Sequence, residues 1–567
     1  MRQTMNPGDT EARRFFDFSV SPWFVRLTLW LLPLGFLIAA FFYPLSRILA
    51  LTADYRTLTS DNLLLAFDVL SFTVYQAALS TFLTLLVGLP AAYLFARYDF
   101  RGKSLLRALT AVPFMLPTVV VAAGFSALLG PRGLVQNLFP LTSFNFIGTL
   151  TAILIAHVFY NTTIIIRVVG NALSSLDPRL LQTARSLGAD PLQVWWNVIL
   201  PILRPSILAS SLLVFLFDFT SFGVILLLGG SQYATLEVEI YLRVLRLPNL
   251  PLAALLSVIQ LVCTLVISML YTRMVARTTI QTTPRSAESN LRKPKTLREK
   301  VFVTLFVFLL TSFFLLPLSA LPFRSLSRLE ADRGQRGQVQ YGLTTDYYTE
   351  LFVNRRGSVF YVPPIQATVN SLGYAGATVV LSLLLGFPAA LALARPTRLE
   401  RFLDPLIILP LGSSAVMLGL GFIISYGAWL TSPWLVPFAH TLVALPFVIR
   451  ALQPAIASIP GRLRQAAATL GASPFEVWKN IDLPILRRAA VSAATFAFTI
   501  SLGEFGATLL IARPEYPTIP VAIERFLSQP GGLNYGQAMA MATLLMLLTL
   551  TSILLIEKFR IPDSGEF

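Results

Sequence analysis

The sequence predicts an all-α integral membrane protein, with about twelve transmembrane helices in two parallel six-helix repeats. Three observations carry this. Of 567 residues, 55% are hydrophobic and 13% charged, too apolar a balance for a soluble chain. The apolar residues gather into about twelve stretches of bilayer length, roughly 20 residues each. Finally, a segment around Gly188 and Pro201 returns at Gly471 and Pro484, one offset of 283 residues aligning both pairs.

Residues 1–22 are polar, carry Arg2, Arg13 and Arg14 and show no cleavage-site pattern, so they predict a cytoplasmic tail before a retained first span. Candidate spans then fall near 23–50, 70–96, 105–129, 148–169, 205–228 and 251–272. A second set falls near 301–322, 366–394, 403–428, 434–452, 487–511 and 534–556. An even number per half sets both repeats the same way up, unlike the inverted repeats of many secondary transporters. This divides the chain into a first repeat at 23–273, a basic cytoplasmic linker at 274–300, a second repeat at 301–557 and a tail at 558–567.

The duplication extends through the spans. Gly88-Leu89-Pro90-Ala91-Ala92 returns as Gly386-Phe387-Pro388-Ala389-Ala390 at an offset of 298, while His157 and Arg167 return as His440 and Arg450 at 283. The first half therefore holds about 15 extra residues, the difference of the two offsets, placed in the 130–148 loop. Pro113, Pro117 and Pro410 are expected to break the third spans.

With the N-terminus inside, the inner loops and tails hold about 31 of the 44 Lys and Arg residues, including every lysine, and the outer loops hold 13. Both termini, Gly188 and Gly471 are then cytoplasmic, in a bacterial or archaeal plasma membrane. The formal charge of +16 is explained by this topology, and nucleic acid is not an expected partner. Membrane lipid is. Six arginines in the outer segment 323–366 run against the charge bias, which long loops obey poorly. The linker, with Pro284 and Pro294, reads as a solvated tether rather than a lipid-binding strip.

The repeated segment reads as two short helices joined at a fixed corner. Leu181-Gln182-Thr183-Ala184-Arg185-Ser186-Leu187-Gly188 matches Arg464-Gln465-Ala466-Ala467-Ala468-Thr469-Leu470-Gly471. Glycine supplies a left-handed residue to end the first helix, and Asp190-Pro191 or Ser473-Pro474 supplies an N-cap followed by proline. Pro201 and Pro484 are expected to stop the second helix. The apolar residues of that helix, Leu192, Val194 and Trp195, or Phe475, Val477 and Trp478, call for a partner.

Catalytic and metal-binding patterns are lacking. The sole cysteine, Cys263, lies in a span, no phosphate-binding G-x-x-x-x-G-K-[ST] loop occurs, and two histidines in separate repeats are thin material for acid–base work. His157 and His440 read as hydrogen-bonded packing residues. Asp218 and Glu504 lie within the fifth spans, where charge is costly unless it meets a partner or an aqueous pathway. Glu504 occupies the repeat position of Ser221, and Phe505 that of Phe222. These five residues are the candidate substrate pathway, with Phe217 and Phe219 as additional cation–π surfaces.

Gln465-Ala466-Ala467, three residues, Gly471, nine residues, Ile481, one residue and Leu483-Pro484 resemble the cytoplasmic EAA loop of type I ABC importer permeases. The first copy matches at Gln182, Ala184, Gly188, Val198, Leu200 and Pro201 and departs at Thr183; both copies carry glutamine where the family often has glutamate. The resemblance implies a non-catalytic permease subunit that binds no cofactor and forms the translocation pathway of a binding-protein-dependent importer. ATP is then used by a separate ATPase dimer, docked on Gln182, Ala184, Gly188, Pro201, Gln465, Ala466, Ala467, Gly471 and Pro484. An extracytoplasmic binding protein delivers the cargo. Within the class the chain is similar to the fused thiamine and ferric-iron permeases, and the run Leu227 to Glu237, continuing through Tyr241, is similar to the thiamine members. Ferric iron is the alternative cargo, and an ion-gradient-driven secondary transporter the alternative mechanism.

Overall fold

The computed structural model describes residues 22–54, 57–138, 146–278, 291–328, 342–353 and 362–559. Among these the chain is helical, relieved only by two isolated β-bridges, Tyr98 to Arg292 and Ser327 to Leu343. Eleven helices are long and apolar enough to cross a membrane. The twelfth crossing, the ninth in chain order, is assembled from Arg398–Ile408 and Ala415–Tyr426.

Where the third and ninth spans break, proline is responsible. The third span stops at Met115 and restarts at Thr118, because Pro117 disfavours helix at Leu116. Its counterpart passes through a 3₁₀ turn, Leu409–Gly412, that contains Pro410. Pro113 is not a breakpoint: it lies within the helix Lys103–Met115. The fifth and eleventh spans also differ from the continuous helices expected. Leu200–Phe219 gives way to Gly223–Leu228, and Leu483–Gly503 to Gly506–Ile511. Each is followed by a short helix that hydropathy did not predict, Leu236–Leu245 and Ile519–Leu527, whose first amides are caught by Thr73 Oγ1 at 3.0 Å and Ser371 Oγ at 2.9 Å.

Each repeat is built on its second span. A stripe of small residues at 73, 77, 80, 84, 88 and 91 is buried, as are its counterparts at 371, 375, 378, 382, 386 and 389. Small side chains allow close helix approach in a bilayer, where hydrophobicity gives no drive to association. The second span thereby packs tightly on the fourth, and the eighth on the tenth. The first and seventh spans cross over: the first lies on the eighth and ninth, the seventh on the third. Arg26 Nη1 joins this crossing to buried Glu400 at 3.2 Å, with Trp30 Nε1 donating to the same carboxylate at 3.5 Å.

The sixth span continues as helix to Thr278 and the seventh begins at Leu297, so the linker is shorter than 274–300. Its end is held rather than merely solvated. Arg292 N donates to Arg97 O at 3.1 Å, Asp99 N donates to Arg292 O at 3.0 Å, and the guanidinium lies over Tyr98 and bonds Glu299 at 2.7 Å. Residues 279–290, like most of the N- and C-terminal tails, lie outside the described residues.

Candidate functional site

The two corner segments share one local design. Helix Pro178–Ser186 is ended by Gly188 at φ +86°, and helix Gly461–Thr469 by Gly471 at φ +84°. In each, the residue after glycine reaches back five positions, Ala189 N to Ala184 O at 3.1 Å and Ala472 N to Ala467 O at 3.0 Å. These bonds satisfy carbonyls at the helix end, and the left-handed residue they need is cheap only for glycine. Asp190 then forms a reciprocal box with Gln193 (2.7 and 3.1 Å), and Ser473 one with Glu476 (3.3 and 2.7 Å).

Pro201 and Pro484 do not stop the second helix, contrary to expectation. Each helix runs through a π turn, Trp195–Ile199 or Trp478–Asp482, directly into the fifth or eleventh span. Leu200 N bonds Trp195 O, and Leu483 N bonds Trp478 O, one residue further back than in an α-helix. That widened turn gives the proline ring room against the preceding carbonyls. The corner is therefore continuous with a membrane helix.

Gln182, Gln465 and Ala466 are exposed, as are Pro201 and Pro484, while Ala184 and Ala467 are half-buried. Leu187 and Leu470 at the corner tips are 83% and 88% exposed, flanked by exposed Leu192 and Trp196, or Phe475. Val194 and Val477, expected on this outer face, are instead buried. Arg464 Nε bonds Asp482 at 2.9 Å, bracing the second corner.

The fifth and eleventh spans hold the other candidates. Phe222 and Phe505 meet with ring centroids 5.4 Å apart, and Phe222 also meets Tyr241 edge-on at 5.6 Å. Residues equivalent in two repeats can touch each other only near the pseudo-twofold axis, so this pair marks the axis. Phe217 and Phe219 do not join them: Phe217 is exposed against Phe114, and Phe219 packs on Phe215.

Asp218 and Glu504 face histidines rather than open space. His157 Nδ1 is 3.3 Å from Asp218 Oδ1 and 2.9 Å from Gln76 Nε2, while its Nε2 is 2.8 Å from Ser221 Oγ. Asn161 Nδ2 donates to Asp218 at 2.7 Å. His440 Nδ1 is 2.7 Å from Ser501 Oγ, and its Nε2 is 3.2 Å from Glu504 Oε2. Position 218 corresponds to 501 and position 221 to 504, so each histidine contacts both positions. Carboxylate and serine have changed places. Glu504 also accepts from Ala507 N at 2.8 Å and Thr508 N at 3.0 Å, and so caps the helix after the break. The 283 offset pairs these positions in sequence, but the helical spacing alone could not show that the histidines lie between them. Buried Glu237, which no sequence pattern marks, bridges the repeats by accepting from Ser414 Oγ and from Gln260 Nε2 at 2.6 Å.

Known proteins match along nearly the whole chain. The family model described as binding-protein-dependent transport system inner membrane component matches twice, at residues 84–280 and 382–559. Those matches begin 298 residues apart, the offset that relates the second and eighth spans. The thiamine transport system permease protein ThiP of Brucella abortus (strain 2308) is 28% identical over 500 residues, which cover 86% of this chain and 87% of the relative. ThiP of Haemophilus influenzae is 28% identical over 553 residues, covering 94% and 95%, and that of Escherichia coli K12 is 27% identical over 518, covering 89% and 91%. With both repeats matched, this chain belongs to the family of binding-protein-dependent transport system inner membrane components.

Proposed function

We propose that this chain is the translocating subunit of a thiamine importer, driven by a separate ATPase dimer and supplied by an extracytoplasmic binding protein. The observation that carries the coupling is the pair of exposed apolar corners, each continuous with a membrane helix. Six crossings separate them, so both lie on one side of the membrane. One copy of this chain then offers two equivalent docking points, one per ATPase subunit, around Gln182, Ala184, Gly188 and Pro201, and around Gln465, Ala466, Ala467, Gly471 and Pro484. Both termini are cytoplasmic in this reading, and ATP is bound and hydrolysed by the partner. When the ATPases close, the corners move together and the π turns pass the motion to the spans that meet at Phe222 and Phe505. Ser221, Glu504 and Asp218 brace the wall of the pathway through the two histidines.

The relatives, thiamine transport system permease proteins, support thiamine as cargo. So does the chemistry of the axis. Thiamine is a flat organic cation, suited to aromatic faces and single carboxylates, whereas ferric ion prefers several hard oxygen ligands. Vesicles containing this chain with its ATPase and binding protein are expected to accumulate labelled thiamine when ATP is enclosed. Uptake of ferric iron without thiamine would reverse the assignment, and uptake driven by an ion gradient without ATP would exclude an ABC importer.

The same reading makes the linker a tether. Co-expressing residues 1–285 and 286–567 is expected to give measurable uptake, because the held stretch at Arg292 stays with the second half and can still reach Arg97 and Asp99. An inactive pair, with both halves present in the membrane, would show that the covalent link has another role.

A further inference from the structure

The pseudo-twofold axis is closed where Phe222 meets Phe505, and the groups next to that contact along the chain have a defined chemistry. The fifth span starts at the cytoplasmic corner and runs 20 residues as Leu200–Phe219, about 30 Å at 1.5 Å per residue, before its break. Phe222 and Phe505 therefore meet within the outer half of the membrane, one short helix, Gly223–Leu228, below the loop at Gly148. Next along the chain come the short helices Leu236–Leu245 and Ile519–Leu527. Tyr241 and Glu524 are equivalent positions on these helices, since 524 minus 241 is again 283. Tyr241 packs on Phe222, and Glu524 lines a cavity together with Arg246, whose guanidinium lies over the Tyr241 ring. That half-open cavity, of about 110 Å³, is lined also by Leu226, Leu242 and Ser231 among others.

Arg246 shows what such a place accepts. Its guanidinium lies 5.9 Å from the centroid of the Tyr241 ring, a flat cation resting on an aromatic face beside a carboxylate. The cavity is smaller than the roughly 300–1,000 Å³ of a small-molecule pocket, so cargo enters only when the two short helices part. We propose that Tyr241 and Glu524, next to the Phe222–Phe505 closure, form the first site at which a flat organic cation engages the pathway, with Arg246 occupying it in the closed state. This rests on the thiamine reading for the natural cargo, but the site itself is defined by charge and shape. Cation and guanidinium compete for the same face, so the two charged residues act with opposite sign.

The test uses the complete transporter in vesicles, with Cys263→Ser and Ser231→Cys leaving one thiol in the cavity. Labelling of that thiol by a neutral maleimide from the outer side is followed with increasing thiamine, or with benzyltrimethylammonium as a second flat cation. Glu524→Gln is expected to raise the half-protecting concentration about tenfold and Arg246→Gln to lower it, with Glu524→Asp staying near the parent. A structural role alone would not give opposite shifts or rescue by aspartate. Equal protection of the Glu524→Gln and parent proteins overturns the site, as does protection by neither cation. Protection by benzyltrimethylammonium but not thiamine upholds the site and removes thiamine as its cargo; the uptake measurement with the parent protein reports on that cargo separately.

Discussion

Valine at both Gly188 and Gly471 is expected to leave a protein that inserts in the membrane and transports almost nothing. A Cβ at either position meets nothing within 4 Å, so the effect is conformational rather than a clash. At φ +86° and +84° a β-branched residue is strained by about 1–2 kcal/mol, enough to rotate the corner out of the left-handed region. The following helix then leaves at another angle, and its apolar tip misses the ATPase groove. Asparagine tolerates this conformation far better, so Gly188→Asn with Gly471→Asn should keep most of the uptake. The measurements are membrane content, ATP-driven uptake and stimulation of ATP hydrolysis by the binding protein. Normal uptake by the double valine protein would refute coupling through these corners.

A different failure is expected from Gly386→Val: loss of the folded protein itself. A Cβ at Gly386 would stand 2.7 Å from Val448 Cγ1, and one at Gly88 would stand 2.6 Å from Ile165 Cβ. Both contacts lie in the small-residue seams, between rigid helices that cannot give locally. Overpacking of this kind costs about 1–3 kcal/mol and more where relaxation is blocked. Thermal unfolding in detergent should show a large drop in midpoint for Gly386→Val and Gly88→Val. Gly373→Ala, where nothing lies within 4 Å, should change little. Ile165→Ala should recover part of the loss from Gly88→Val, because partners in one contact are not additive. A Gly386→Val protein melting with the parent would mean that the seam is looser than the structure shows.

The fold class, its duplication and the corner geometry were legible in the sequence because each is imposed locally or by the bilayer. A span needs about 20 apolar residues whatever surrounds it, and glycine followed by Asp-Pro or Ser-Pro sets a corner through backbone preference alone. The offsets of 298 and 283 then related the halves without any contact being known. Periodicity says which residues share a helix face, but not which helix that face meets. Only the tertiary structure could therefore show that the first and seventh spans cross to the opposite repeat, or that Pro201 and Pro484 ride on π turns instead of ending helices. The same limit hid the histidines standing between carboxylate and serine. Asp218 and Glu504 were singled out as charges that a bilayer would not tolerate unpaired, yet their partners lie on other spans, 61 and 64 residues away in sequence. The meeting of Phe222 with Phe505 is decided the same way. Two equivalent residues touch only when the repeats close around a common axis, and that closure is a property of all twelve crossings packed together.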